Sequence, residues 1–155
     1  MRHLPIDPAL FVANRTRLIR MMAKNSLAVV NANDLMPRNS DALSLIVPQT
    51  DLFHLSGIEQ EETILLLCPD ASDQTLREVL FIRESSELLK VWEGYKHTKA
   101  DAGTISGIGN VQWISNFPAI FHRLMCEVEY ASRTADGILR EPVFLRLRPD
   151  LTFGP

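Results

Sequence analysis

The most apolar run of the chain, Ile64-Leu65-Leu66-Leu67-Cys68, shows no alternation with polar positions. A strand reads this way when both of its faces are covered, as in the middle of a sheet with helices on either side. Pro69 and Asp70 end it, because proline cannot donate to a ladder and both residues favour turns. Val79-Leu80-Phe81-Ile82 repeats the pattern within residues 77–83. The polar connector between the two runs, residues 70–75, is too short for a parallel crossover and predicts an antiparallel pair. A valine-rich strand is predicted over 27–32, a brief one over 110–114, and further strands over 43–47, 127–131 and 143–147, with Asp136-Gly137 as a turn.

Helical signals fall between these strands. Asp7 is a good N-cap and Pro8 a good first helical residue. Phe11, Leu18, Ile19 and Met22 then share one stripe while Asn14, Arg17 and Lys24 line the other side, and Asn25 serves as a left-handed stop. Residues 51–58 place Leu52, Phe53, Leu55 and Ile58 around Ser56-Gly57, a short turn of helix or irregular chain that plugs one end of the sheet. Ser85 or Ser86 caps a short helix through Trp92, with Leu88, Leu89 and Trp92 on its apolar side. Another runs over 99–105 and ends near Gly107. A last one starts at Ser115-Asn116 and Pro118, with Phe117, Ile120, Phe121, Leu124 and Met125 as its stripe. The alternation predicts an α/β domain, a mixed sheet with helices on both faces.

Composition narrows the class without naming a function. The 155 residues suit one domain, and a net charge of −3 gives no electrostatic case for nucleic acid or an anionic membrane. No apolar run approaches the ~20 residues of a membrane span. Arg2, Arg15, Arg17, Arg20 and Lys24, set against Asp7 alone, read as a solvated helix face; Pro5, Asp7 and Pro8 argue against a targeting presequence. Cys68 on the central strand and Cys126 on a predicted helix read as small buried hydrophobes, which suits a reducing cytoplasm.

Candidate chemistry is sparse. His3, His54, His97 and His122 have no metal spacing, and His122 with Cys126 makes two ligands at most. Ser106-Gly107-Ile108-Gly109-Asn110 lacks the third glycine of a dinucleotide fingerprint and runs from helix to strand, the reverse order. Glu59, Glu61 and Glu62 precede the central strand and read as a solvated edge turn. No Gly-x-Ser-x-Gly elbow occurs, and no cysteine has an identifiable histidine partner. On residues alone the chain is a non-catalytic domain.

The pieces in order resemble the N-terminal domain of aminopeptidase P, in the creatinase/prolidase group. Phe11-x-x-x-Arg15-x-x-Leu18 is similar to that family's opening helix, and a hydrophobic strand follows it. Arg38-Asn39-Ser40-Asp41 resembles the family's loop. Gln49-Thr50-Asp51-Leu52-Phe53-His54-Leu55-Ser56-Gly57 resembles its Asn-Ser-Asp-Phe-x-Tyr-Leu-Thr-Gly segment, and Val91-Trp92-Glu93-Gly94-Tyr95-Lys96 its Trp-x-Gly-Arg-Arg motif. Gln49-Thr50 stands for the Asn-Ser pair and Tyr95-Lys96 for the paired arginines.

The resemblance implies a sheet of about six strands of the ribonuclease-H-like type, a single non-catalytic domain over 1–155, and catalysis in a following pita-bread domain absent from this chain. Two manganese ions are expected there, with no cofactor and no metal held by the present residues. It implies a metallopeptidase parent that releases the residue before proline. The partners are then the catalytic domain of the same polypeptide, a neighbouring subunit of a homo-oligomer, and proline-containing peptides, with no nucleic acid and no membrane. Trp92 matches a tryptophan that lines the substrate site, and Asp41 a loop aspartate that reaches toward it. Read without the family, Trp92 is equally a core residue and Asp41 a turn cap. A stand-alone binding module of the same fold, or a prolidase or creatinase parent, are the alternatives.

Overall fold

The computed structural model describes residues 6–33, 37–39, 42–43, 48–84, 96–124, 126–129, 132–133, 139–140 and 143–147. In chain order these form α1 (Pro8–Met21), β1 (Ala28–Asn31), β2 (Pro37–Asn39), β3 (Ala42–Leu43), α2 (Thr50–Ser56), β4 (Ile64–Leu67), β5 (Glu78–Ile82), α3 (Lys99–Ser106), β6 (Asn110–Trp113), α4 (Phe117–Arg123), β7 (Cys126–Glu129), β8 (Ser132–Arg133), β9 (Leu139–Arg140) and β10 (Val143–Leu147). One sheet has the order β1-β4-β5-β6, and β2–β3, β7–β10 and β8–β9 form two-stranded ribbons. β1, β4 and β5 pair antiparallel, while β6 joins β5 in parallel after a crossover that contains α3. The result is an α/β domain with a mixed sheet.

The unbroken apolar runs are explained by cover on both faces. Leu65, Leu67, Leu80 and Ile82 join Leu52 and Leu55 of α2 and Ala102 of α3 in one core. Leu66, Cys68, Val79 and Phe81 project to the other side, where they meet Leu76 and Leu124, with Phe117, Ile120 and Phe121 packed against them. Phe117 meets Phe81 edge-on at 5.2 Å between ring centroids. Each such leucine or phenylalanine contributes about 1.5–3 kcal/mol by leaving water.

α1 begins as its sequence requires: Asp7 accepts from the Ala9 N–H at 2.9 Å, with Pro8 in the first turn. It ends earlier than expected, at Met21, and Asn25 takes the left-handed conformation (φ 55°) after the helix. Its polar residues also differ from expectation. Asn14, placed above on the solvated side, is buried and donates Nδ2 to the His54 carbonyl at 2.9 Å. Arg15, placed above on a solvated cationic face, is 0% exposed. Its Nη1 donates to the Leu55 carbonyl at 2.8 Å and the Ser106 carbonyl at 2.9 Å, and its Nε to Glu78 at 2.9 Å. Positions 11, 15, 18 and 22 share a helical face, so Arg15 lies in the apolar stripe rather than opposite it.

Leu55 and Ser106 stand in the last turns of α2 and α3, which end alike. In each, a serine (Ser56, Ser106) donates Oγ to the carbonyl four residues back at 2.7 Å and accepts from an isoleucine N–H (Ile58, Ile108) at 3.2 Å. The glycine between, Gly57 (φ 71°) or Gly107 (φ 69°), is the left-handed cap. α1 lies on both ends: a Cβ at Gly57 would stand 2.5 Å from the Phe11 ring, and one at Gly107 2.8 Å from Val12 Cγ2. The Phe11-x-x-x-Arg15 spacing is therefore one helical turn laid across two helix C-termini.

Two further expectations are corrected. Cys126 opens β7 instead of lying on α4, which stops at Arg123 in front of a short turn at Leu124. Glu61 is 2% exposed, not part of a solvated turn. The expected helix over 85–92, most of the strand over 43–47 and the Asp136-Gly137 turn lie outside the described residues. Gly57→Ala forces both a positive φ and a clash with Phe11, and should lower unfolding free energy by about 2 kcal/mol or more. Gly109→Ala meets nothing within 4 Å and should stay within about 0.5 kcal/mol. Urea denaturation of the two variants checks the contrast; equal effects would contradict this packing.

Candidate functional site

Strand register gathers one end of the sheet. Asn31, Ile64, Phe81 and Gln112 pair across in a single row. The C-terminal ends of β1, β5 and β6 and the N-terminal end of β4 therefore lie on the same side. The chain that carries Asp41 leaves from β1, and the chain that carries Trp92 leaves from β5. Both residues themselves lie outside the described residues, so topology assigns only the points where their segments depart.

What is described at this end is a buried charge cluster. Glu61 Oε1 accepts from Lys96 Nζ and, at 3.3 Å, from Arg83 Nη1; Arg83 Nε lies 3.7 Å from Glu62. Lys96 is itself buried. Burial alone pushes the Glu61 carboxyl up, but the Lys96 hydrogen bond, a backbone hydrogen bond and the charges of Lys96 and Arg83 together bring it below its ordinary value of 4.5. Beside it, Gln60 is buried and accepts the His97 N–H at 2.8 Å. Burial lowers the His97 imidazole from 6.5, against the opposing charges of Asp101 and Glu59.

This cluster was not legible as a site, because three glutamates before a strand have the composition of a turn. The available signal was the match of Lys96 to the second arginine of the Trp-x-Gly-Arg-Arg motif, a cation that needs a buried anion. Among the described residues the cluster consists of paired charges and brings no nucleophile to them. Cys68 is no nucleophile either, since burial first, and the Asp70 charge next, push its thiol up. Among the described residues no group of three or more His, Cys, Asp or Glu could hold a metal ion. Ser106-Gly107 is a helix cap, as described, and no phosphate cradle.

Cavities lie elsewhere among the described residues. A polar cleft of about 860 Å³ opens at the opposite end of the sheet, lined by Asp73, Arg77, Glu78, Asn110 and Arg123. Arg77 and Arg123 are engaged there with the Ala71 carbonyl and Asp73. An apolar groove of about 490 Å³ runs between α1, α2 and β1, past Leu18, Met21, Val30 and His54. No helix among the described residues is long and apolar enough to cross a membrane.

The fold defines an α/β domain built on a mixed sheet. The model of the family "Aminopeptidase P, N-terminal domain" matches residues 11–131, and the chain belongs to that family. No curated protein matches it. Among solved structures it is similar to Pseudomonas aeruginosa aminopeptidase PepP, at 23% identity and TM-score 0.71 over 80% of this chain and 28% of that one. It is also similar to Escherichia coli aminopeptidase P in a low-pH form, at 21% and 0.69 over 85% and 31%. The zinc-substituted Escherichia coli enzyme in complex with product matches at 21% and 0.69 over 86% and 31%. The chain thus spans less than a third of these structures, and at such identities the likeness concerns the fold.

Acid should open the sheet end in two stages. A neutral buried imidazole and an ionised buried carboxylate both bind fewer protons folded than unfolded, so each contributes stability at neutral pH that is lost on acidification. Unfolding free energy should fall as pH drops below 6.5 on account of His97, and fall again below 4.5 on account of Glu61. Urea denaturation from pH 7.5 to 4 checks this, and Glu61→Gln should remove the lower stage only. A wild-type profile flat across the range would contradict it.

Proposed function

We propose that this chain serves as the non-catalytic N-terminal domain of an Xaa-Pro aminopeptidase, building the oligomer and walling the substrate cleft. The observation that carries this reading is the family match over 11–131. The sheet on this reading extends to about six strands of ribonuclease-H-like type, and the free, buried Cys68 suits a cytoplasmic protein. Its partners are a catalytic metallopeptidase domain of the same polypeptide, a neighbouring subunit and proline-containing peptides. Two manganese ions belong to that catalytic domain, where bound metal polarises the carbonyl before proline and supplies hydroxide. Trp92 contributes an aromatic wall to the peptide site and Asp41 a polar contact.

The test compares two polypeptides. The 155-residue chain with manganese should release no amino acid from an Xaa-Pro peptide, whereas the chain extended by the coding sequence that follows it should do so. In the extended protein Trp92→Ala should raise KM roughly tenfold with kcat little changed, the signature of lost binding. Hydrolysis by the short chain, or unchanged KM in the variant, would contradict the reading.

A further inference from the structure

Among the described residues β1 is an edge of the four-stranded sheet, and its register says which of its main-chain groups are open. The Ala32 N–H donates to the Thr63 carbonyl at 2.7 Å, and Val30 and Ala28, further back on the same side, pair with Leu65 and Leu67. Main-chain groups of an antiparallel strand point alternately to either side, so those of Val29 and Asn31 point away from β4. Both residues are exposed. Leu27 and Val29, at 37% and 38% exposure, make this edge apolar as well as open, and such an edge is a template for a further strand.

On one face of that edge lies the apolar groove of about 490 Å³. Ala28 and Val30 form its sheet wall, with Leu18 and Met21 of α1 and Leu55 of α2 around it. Met21 is 76% exposed there, and a flexible thioether adapts to whatever enters. The charge along the groove is one-sided. Arg17 lines it from α1, Arg20 is exposed on the same helix, and α1 contains no acidic residue. Asp51, from α2, also lines the groove and accepts from Gln49 Nε2 at 3.2 Å.

We propose that β1 and this groove bind an extended segment of a partner polypeptide as an added strand, its groove-facing side chains apolar except for one carboxylate set against Arg17. Main-chain bonds to Val29 and Asn31 supply affinity, the groove reads every second side chain, and Arg17 selects acidic over basic segments. A second copy of this chain is a poorer complement. Antiparallel pairing of β1 with its copy has a two-fold axis perpendicular to the sheet, which brings two cationic α1 helices together on one face. The site uses none of the residues given a role in peptide hydrolysis above and does not rest on that reading.

The experiment uses the 155-residue chain and the fluorescein-labelled peptide Thr-Leu-Thr-Glu-Thr-Leu-Thr, whose two leucines and glutamate share one face of a strand. Fluorescence anisotropy at pH 7 should show saturable binding with Kd below about 1 mM. Lysine in place of the glutamate should weaken it by about fivefold or more, and Arg17→Glu should invert that preference. N-methylation of one alternate set of the peptide's amides should abolish binding, while N-methylation of the other set leaves it, because only one set faces β1. Hydrogen exchange at the Val29 and Asn31 amides should slow when the peptide is added. Val29→Pro removes an N–H that the sheet does not use, a change edge strands accept, and should abolish binding with native circular dichroism. Where Val29→Pro does not fold, the two N-methylated peptides with the unaltered chain decide the question. Absence of saturation, equal affinity for the glutamate and lysine peptides, or parent-like binding of both N-methylated peptides would overturn the proposal. So would a dimer of the chain alone, seen by sedimentation and lost in Val29→Pro, which would give the edge to a second copy.

Discussion

A guanidinium removed from water has to be given its charge partners by the fold, and Arg15 receives them from three separate elements. The C-terminus of a helix carries partial negative charge on carbonyls that have no intrahelical donor. α2 and α3 point such ends at one place, and Arg15 Nη1 donates to both while Nε meets Glu78. Burying a charge this way is seldom a net gain in stability over apolar packing, but it admits few alternative arrangements. The two Ser-Gly-Ile caps and the glycine surfaces beneath Phe11 and Val12 are all consistent with that single requirement.

The same strand that meets Arg15 at its start meets the candidate site at its end. Glu78 opens β5, and Arg83 comes one residue after its last position, Ile82. β5 is thus held by a charge cluster at each end, Arg15 on one side and Glu61 with Lys96 on the other, with Val79 to Ile82 fully buried between them. Sliding β5 by one residue would exchange the two faces of the sheet and break both clusters at once.

Much of this fold was legible because apolar runs and caps are local signals. The antiparallel turn between β4 and β5, the start of α1 at Asp7-Pro8, and the end of α3 at Gly107 each depend on residues a few positions apart. The buried charges were not legible for the opposite reason: Arg15 finds its partners 40, 63 and 91 residues away, and Glu61 finds Lys96 35 residues away. Side-chain type alone puts Asn14 and Arg15 on the solvated side, although Arg15 occupies the apolar stripe with Phe11, Leu18 and Met22. The resemblance to the family rests on the order of several weak motifs, one of which, Phe11-x-x-x-Arg15, now has a physical meaning. Trp92 and Asp41 lie outside the described residues, so the register of the sheet supplies only the roots of their segments.

If Arg15 couples α2 and α3, their last turns should open together. Native-state hydrogen exchange at the Gly57 and Gly107 amides, which donate to the Phe53 and Gly103 carbonyls at 2.8 Å, reads each end separately. The account expects matching opening free energies in the wild-type chain and an equal loss of protection at both amides in Arg15→Met. Exchange that weakens at one helix end and leaves the other untouched would contradict it.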